Sequence, residues 1–224
     1  MAMKESHSLQ PALTVHALQR MPYYLELLEN ALQEGRTSIS SASIAAELGF
    51  SDVLIRKDLA AVSSTQGRPK TGFDISTLIE DIRTFMGYHH EKKAVLVGAG
   101  SLGKALLRNA EFRKYGLHIV AAFDIRRSLI HRKIGGVEVY SLTNLKKYCL
   151  ENQVRIGIIT VPADAAQDVA DRMAAGGILA IWNFALVKLH VPEPILVQNE
   201  DLASSLAMLS QHLQQIQPDG PEET

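Results

Sequence analysis

The stretch from Lys93 to Gly103 constrains the fold more than any other part of the chain. Lys93-Ala-Val-Leu-Val is a short β-branched run that passes directly into Gly98-Ala99-Gly100-Ser101-Leu102-Gly103 and then into a helical run, Lys104–Lys114. Alone, a G-x-G-x-x-G pattern says little; between a strand and a helix it describes a dinucleotide-binding turn. Gly98 permits the tight turn, Gly100 lets the backbone approach a pyrophosphate, and Gly103 lets the helix pack closely on the strand. The unpaired N–H groups that open the helix then point at the phosphates.

A second β-rich run, His118–Asp124, ends in an acid 21 residues after Gly103. A carboxylate at that distance can accept both ribose hydroxyls of an adenosine, and it repels a 2′-phosphate, so NAD is expected over NADP. Arg126 and Arg127 follow closely and weaken that preference. The plain alternative is that Asp124 caps a turn. Further β/α units are expected: Val137–Tyr140 with a helix Leu142–Leu150, Arg155–Thr160 with a helix Ala163–Ala175, and a strand Ile178–Phe184. Ligands in such sheets bind at the carboxyl ends of strands, which makes Thr160, Val161, Pro162, Asn183 and Phe184 candidates for the nicotinamide side. Each could equally be an ordinary strand-to-helix turn.

The region before this alternation reads differently. A helix is expected from Pro22 to Glu34, with Tyr24, Leu25, Leu28 and Leu32 as its apolar stripe and Gly35 as its stop. Ser41 suits the cap of a short helix that buries Ile44, Ala45 and Leu48 and ends at Gly49. Ser51 caps another, about Asp52–Ser63, that buries Ile55, Leu59 and Val62. Two short helices around a tight glycine turn form a helix-turn-helix pattern. Arg56, Lys57 and Ala60 project from the second helix, and a glycine-bounded hairpin, or wing, follows with Arg68 and Lys70. From Arg56 to Lys70 there are four basic residues against one acid, Asp58. Such a patch is needed if DNA is the partner, because the net charge of the whole chain is only −1.

Composition limits the other classes. With 224 residues, 46% hydrophobic and 21% charged, the chain fits one large or two small globular domains. No apolar run approaches the roughly 18 residues of a membrane span, and no signal-peptide pattern is seen. One cysteine, Cys149, leaves no internal disulfide, which fits a reducing cytoplasm. Cys149 reads as a packing residue in its helix rather than a thiol sensor. His89 and His90 have no third ligand spaced to hold a metal. Residues 200–216 form an amphipathic helix with Leu202, Leu206, Leu209 and Leu213 on one face, followed by a polar tail. On a monomer this face could cap the core.

In order along residues 16–213, the chain carries Arg20-Met-Pro-Tyr-Tyr-Leu, Ile55-Arg-Lys-Asp-Leu, Val97-Gly-Ala-Gly-Ser-Leu-Gly-Lys-Ala-Leu-Leu, Ile119-Val-Ala-Ala-Phe-Asp, Lys133-Ile-Gly-Gly-Val-Glu-Val-Tyr, Thr160-Val-Pro-Ala-Asp-Ala-Ala-Gln, Asn183-Phe-Ala and Asp201-Leu-Ala. This set resembles the Rex family of redox-sensing transcriptional repressors. The resemblance implies an α/β protein with a winged helix-turn-helix domain (1–87), a Rossmann domain holding NADH or NAD⁺ (88–199), a dimer-exchanged C-terminal helix (200–217) and a flexible tail (218–224). It implies a cytoplasmic homodimer that binds palindromic double-stranded operator DNA and releases it when NADH binds, with no membrane and no metal partner. Arg56 and Lys57 match the family's basic pair on the recognition helix. Asp201 matches an aspartate delivered from the partner chain toward the nicotinamide. Asn109 stands where the family usually has tyrosine, Leu186 where it often has proline, and Ala60–Lys70 departs from the commoner version. The alternatives are an NAD-dependent oxidoreductase, for which little chain remains to build a substrate domain, and a nucleotide- or CoA-binding regulatory module.

Overall fold

The computed structural model describes residues 14–65, 67–68 and 71–216. Lys70 and the tail 218–224 lie outside them. The chain divides into two compact units, Met1–His90 and Glu91–Thr224.

The first unit is helical. Helix α1 spans Val15–Gln33, capped by Thr14, whose hydroxyl accepts from the Ala17 N–H. The expected start at Pro22 is therefore seven residues late. Pro22 sits inside the helix, where its missing N–H forgoes one internal bond, and burial of Ala17, Met21, Tyr24, Leu25, Leu27, Leu28 and Ala31 outweighs that loss. Leu32, expected in the stripe, is exposed. Helix α2 (Ser41–Leu48) is capped by Ser40 rather than Ser41: the Ser40 hydroxyl accepts from the Ser43 N–H at 3.0 Å. Gly49 closes it in the left-handed region at φ 71°. Helix α3 (Asp52–Val62) is capped by Ser51, and helix α4 (Ile75–Phe85) by Asp74. One apolar cluster joins all four helices through residues such as Tyr24, Leu28, Ile44, Ile55, Leu59, Ile75 and Ile82. Strands β1 (Ser38–Ile39) and β2 (Phe73–Asp74) pair antiparallel, and a bridge between Arg68 and Gly72 extends the wing.

The second unit is a seven-stranded sheet. Its strands are β3 (Lys92–Val97), β4 (Leu117–Asp124), β5 (Lys133–Ile134), β6 (Val137–Ser141), β7 (Ile156–Ile159), β8 (Ala180–Asn183) and β9 (Leu196–Asn199), in the order β5-β6-β4-β3-β7-β8-β9. All pairs are parallel except β5 with β6. Helix α5 (Ser101–Arg108) links β3 to β4. Helices α6 (Leu145–Asn152) and α7 (Ala163–Ala175) flank β7 in the chain. Alternation along the strands sorts the faces. Ala94, Leu96, Ala122 and Ile158 pack with Leu107 of α5, whereas Val95, Val97, Phe123 and Ile159 pack with Leu145, Cys149, Val169 and Met173 of α6 and α7. The order of strands reverses between β3 and β7, and that switch point is where a parallel sheet of this kind opens a ligand crevice.

Several local expectations change. The helical run Lys104–Lys114 is two pieces, α5 and a 3₁₀ turn Ala110–Tyr115, because Asn109 leaves helical geometry and its side chain accepts from the Glu111 N–H at 2.9 Å. The helix Leu142–Leu150 opens with a 3₁₀ turn before α6. Strands β1, β5 and β9 have no counterpart among the expected elements. The last helix, α8, spans Leu202–Ile216.

Candidate functional site

In the first unit, α3 presents two faces. Ile55, Leu59 and Val62 are buried, while Val53, Arg56, Lys57 and Ala60 are exposed together. Asp58, counted above against the basic patch, does not belong to the outer face. It is buried, and its carboxylate accepts from Arg20 Nε (2.7 Å), Arg20 Nη2 (2.9 Å) and the Tyr24 hydroxyl (2.6 Å). This bidentate pair fastens α3 to α1 and leaves the exposed face more basic than the residue count suggested. The sequence signal was present, since Arg20, Tyr24 and Asp58 all lie within quoted motifs, but their pairing is 34 to 38 residues long-range. Arg56 is held along the helix by an ion pair with Asp52. The exit from α3 is tied down as well, the Ser64 N–H donating to Asp81 at 2.7 Å.

Arg68 lies on the wing, exposed, in a mutual backbone pair with Gly72 (2.8 and 2.9 Å). Gly72 has φ 77° and runs so close to the Ile39 backbone that a Cβ could not fit. Together Ser40, Ser41, Arg56, Ala60, Ser63, Thr65, Gly67 and Arg68 line a groove between α3 and the wing. An exposed cationic helix beside a cationic hairpin is suited to a DNA groove and its flanking phosphates.

In the second unit, the glycine turn stands at the carboxyl end of β3, at the switch point. Gly98 has φ 103°, and a Cβ there would lie 2.8 Å from the Thr160 backbone. A Cβ on Gly103 would run into the Gly98 carbonyl oxygen. Thr160, at the end of β7, donates its hydroxyl to the Gly98 carbonyl at 2.7 Å and so fastens the two strand ends to each other. Gly100 is the N-cap of α5; no side chain caps that helix, and nothing lies within 4 Å of a Cβ built on Gly100. The first N–H groups of α5 have no acceptor within the helix, an arrangement that receives phosphate oxygens. Ser101 and Leu102 are exposed at this opening, while Ala99 is buried, its N–H committed to Asp124. Val161 is half-buried and Pro162 exposed beside it.

Asp124 ends β4 and is 5% exposed. Burial pushes its carboxyl up, but hydrogen bonds from the Arg126 side chain and from the Arg126 and Ala99 N–H groups outweigh this and hold it below the usual carboxylate range. It is therefore ionised. Ile125, next to it, is 77% exposed, the most open of the large exposed apolar side chains among the described residues. Its exposure beside the carboxylate is a functional feature without a sequence signature, because isoleucines are exposed singly on many surfaces.

Asn183 is fully buried, with Nδ2 within 3.1 Å of the Ala185 and Val187 carbonyls and of Asn199 Oδ1, and with Oδ1 accepting from the Ala185 N–H. Its polar atoms shape the 183–187 turn rather than face a ligand. Phe184 is half-buried against Trp182, ring centroids 4.8 Å apart. Asp201 is exposed and caps α8, accepting from the Ala203 and Ser204 N–H groups at 3.0 Å. It lines a cleft with Ala185, Leu186, Val187 and Lys188 of the same chain. Asn109 is exposed at the end of α5 with its oxygen engaged. Among the described residues no group of His, Cys, Asp and Glu could hold a metal ion, and no helix is long and apolar enough to cross a membrane.

Family models match both units: a putative DNA-binding protein N-terminus over residues 14–60 and a CoA binding domain over residues 89–187. The redox-sensing transcriptional repressor Rex of Porphyromonas gingivalis is 38% identical over 205 residues, 92% of this chain and 94% of its own length. The crystal structure of RSP in complex with beta-NAD+ and operator DNA matches with a TM-score of 0.86 at 31% identity, covering 92% of this chain and 94% of that one. The complex of RSP with beta-NADH matches with a TM-score of 0.80 at 30% identity, covering 91% and 95%. With a winged helix, a Rossmann sheet and this likeness along almost its whole length, the chain belongs to the Rex family of redox-sensing transcriptional repressors.

Proposed function

We propose that two copies of this chain bind a palindromic operator through α3 and the wing of each, and that NADH bound at the Gly98–Gly103 turn releases the DNA. One observation carries the reading: a single chain joins an exposed basic recognition helix, Arg56 and Lys57, to a capless glycine turn beside an ionised Asp124. The RSP structures support the pairing of ligands, one with beta-NAD+ and operator DNA, another with beta-NADH. Ser51 would start the recognition helix at the DNA, Arg56 and Lys57 would reach the groove, and Arg68 with Lys70 would meet phosphates. Gly98 to Gly103 would cradle the pyrophosphate, Asp124 would hold the adenosine ribose, and Thr160, Val161 and Pro162 would border the nicotinamide, with Asn183 and Phe184 supporting that wall.

Dimerisation is read from α8. Leu206, Leu209 and Leu213 are 64%, 63% and 59% exposed, an apolar stripe that needs a cover. A second copy would supply it, and the exchange would bring the partner's Asp201 toward the nicotinamide. The two recognition helices must then lie about 34 Å apart, or a multiple, to meet half-sites of B-DNA. A nucleotide that changes the angle between the paired units spoils that spacing without touching DNA. Linkage requires the converse: operator DNA weakens NADH binding by the same factor. The protein is a regulator acting on DNA in the cytoplasm and not an oxidoreductase. His118 lies at the amino end of β4, opposite the carboxyl ends where ligands bind, and His190 is exposed in a loop, so neither is placed to act on a nicotinamide-bound substrate.

Separation of function tests this reading. Arg56→Ala is expected to lose operator binding in a gel shift while keeping wild-type NADH affinity. Asp124→Ala is expected to keep operator binding while needing about tenfold more NADH for release. Undiminished operator binding by Arg56→Ala would remove α3 from the DNA interface.

A further inference from the structure

Asp124 accepts four hydrogen bonds. Oδ1 takes the Arg126 N–H (2.8 Å) and Arg126 Nε (2.9 Å); Oδ2 takes the Ala99 N–H (2.8 Å) and Arg126 Nη2 (2.8 Å). A carboxylate offers about four acceptor directions, so all are filled. Two of the donors are backbone groups fixed by the fold. The other two belong to one side chain, half of which is in solvent: Arg126 is 51% exposed against 4% for Asp124. Ribose hydroxyls can therefore reach this carboxylate only when the Arg126 guanidinium leaves it.

We propose that Arg126 sets the choice between nicotinamide dinucleotides with and without a 2′-phosphate, and that it opens this site to NADP(H) as well as NAD(H). The proposal rests on the reading of the Gly98–Gly103 turn as a dinucleotide site. A bare acid at the end of β4 would reject a 2′-phosphate by charge. Here the acid is covered by a guanidinium, and Arg127 next to it is also exposed, so the corner carries two cations against one anion. For NAD(H), the 2′-hydroxyl must displace a bidentate charged partner, which costs affinity. For NADP(H), the displaced guanidinium gains a phosphate, whose oxygens match its paired N–H groups better than a carboxylate shared with two amides does. Arg126 thus acts with opposite sign on the two ligands. The exposure of its side chain keeps each effect moderate, because water screens part of the charge.

The test titrates purified full-length protein with NADH and with NADPH, read by energy transfer from the single tryptophan, Trp182, to the bound reduced nicotinamide. Wild type is expected to bind NADPH within about tenfold of NADH. Arg126→Ala is expected to bind NADH several-fold more tightly and NADPH about tenfold more weakly, since one charge-assisted pair is lost in the second case and one competitor in the first. Arg126→Lys should keep NADPH binding between these limits, because a point charge replaces the fork. An unchanged NADH-to-NADPH ratio in Arg126→Ala, with NADH still bound, would overturn the role of Arg126 and leave the dinucleotide site standing. Failure of wild type to bind either nucleotide would bring down both.

Discussion

Two glycines three residues apart should respond in opposite ways to the same added methyl group. At Gly103 a Cβ would overlap the Gly98 carbonyl oxygen and lie 3.0 Å from the Thr160 hydroxyl. The carbonyl belongs to a backbone held between β3 and β7 and cannot swing aside. Helix α5 must move instead, at a cost of about 1–3 kcal/mol for overpacking. For a unit of this size that lowers the melting temperature by roughly 3–10 °C. At Gly100 the backbone is extended, φ −74° and ψ −161°, and no heavy atom lies within 4 Å of the added carbon. Alanine there loses some N-cap preference but restricts the unfolded chain, so stability should change by less than about 0.5 kcal/mol. Binding reverses the ranking of interest. The new methyl at Gly100 occupies the approach of the pyrophosphate to the α5 amides, and NADH affinity should fall at least about tenfold. Thermal unfolding without nucleotide, followed by Trp182-to-NADH energy transfer, separates the two effects. Wild-type NADH affinity in Gly100→Ala would refute the path of the pyrophosphate; a wild-type melt for Gly103→Ala would refute the packing argument.

Other perturbations probe the remaining parts. Asp58→Ala leaves the Arg20 guanidinium and the Tyr24 hydroxyl without their shared acceptor, and denaturant unfolding of the N-terminal unit should show a loss of about 3 kcal/mol, the lower end for a broken buried pair because Arg20 is partly open to water. Burial pushes the Cys149 thiol up to about 11, so it should react with a disulfide reagent at neutral pH only on unfolding. The same shift has a stability consequence: the unfolded thiol ionises first, at its ordinary 9.0, so the nucleotide unit should lose stability as pH climbs from about 9 to 11 and Cys149→Ala should flatten that decline. Leu209→Asp on the exposed stripe of α8 should yield monomers in sedimentation and weaken operator binding, whereas a dimer of wild-type stability would exclude this stripe as the interface.

Local signals in the chain carried much of this fold. Strand β3, the glycine turn and helix α7 appear where periodicity and flanking residues put them, because each element's pattern is complete within a dozen residues. Ser51 likewise caps α3, since a cap needs only its own helix. What escaped was long-range. Pro22 has the pattern of a helix start, but burial of its helix in the four-helix cluster offsets the missing bond, and Asp58 counts as one acid in a basic patch although Arg20 folds over it. Strand β9 exists only because β8 offers it an edge, pairing Asn183 with Asn199. At the site, Asn183 read as a ligand contact from its place at a strand end, but its amide serves the turn that follows. The Arg126 cover on Asp124 was visible in sequence only as a nearby cation; whether it faces the acid depends on the chain's path after β4.

The central claim is that the redox state of the nicotinamide decides whether the protein holds DNA. Gel shifts of the purified protein on a palindromic duplex, at fixed salt because phosphate contacts make affinity steeply ionic-strength dependent, measure it directly. Titrated NADH should release the duplex at concentrations where NAD⁺ leaves it bound. Equal retention of the duplex with saturating NADH, with NAD⁺ and with neither would contradict the account.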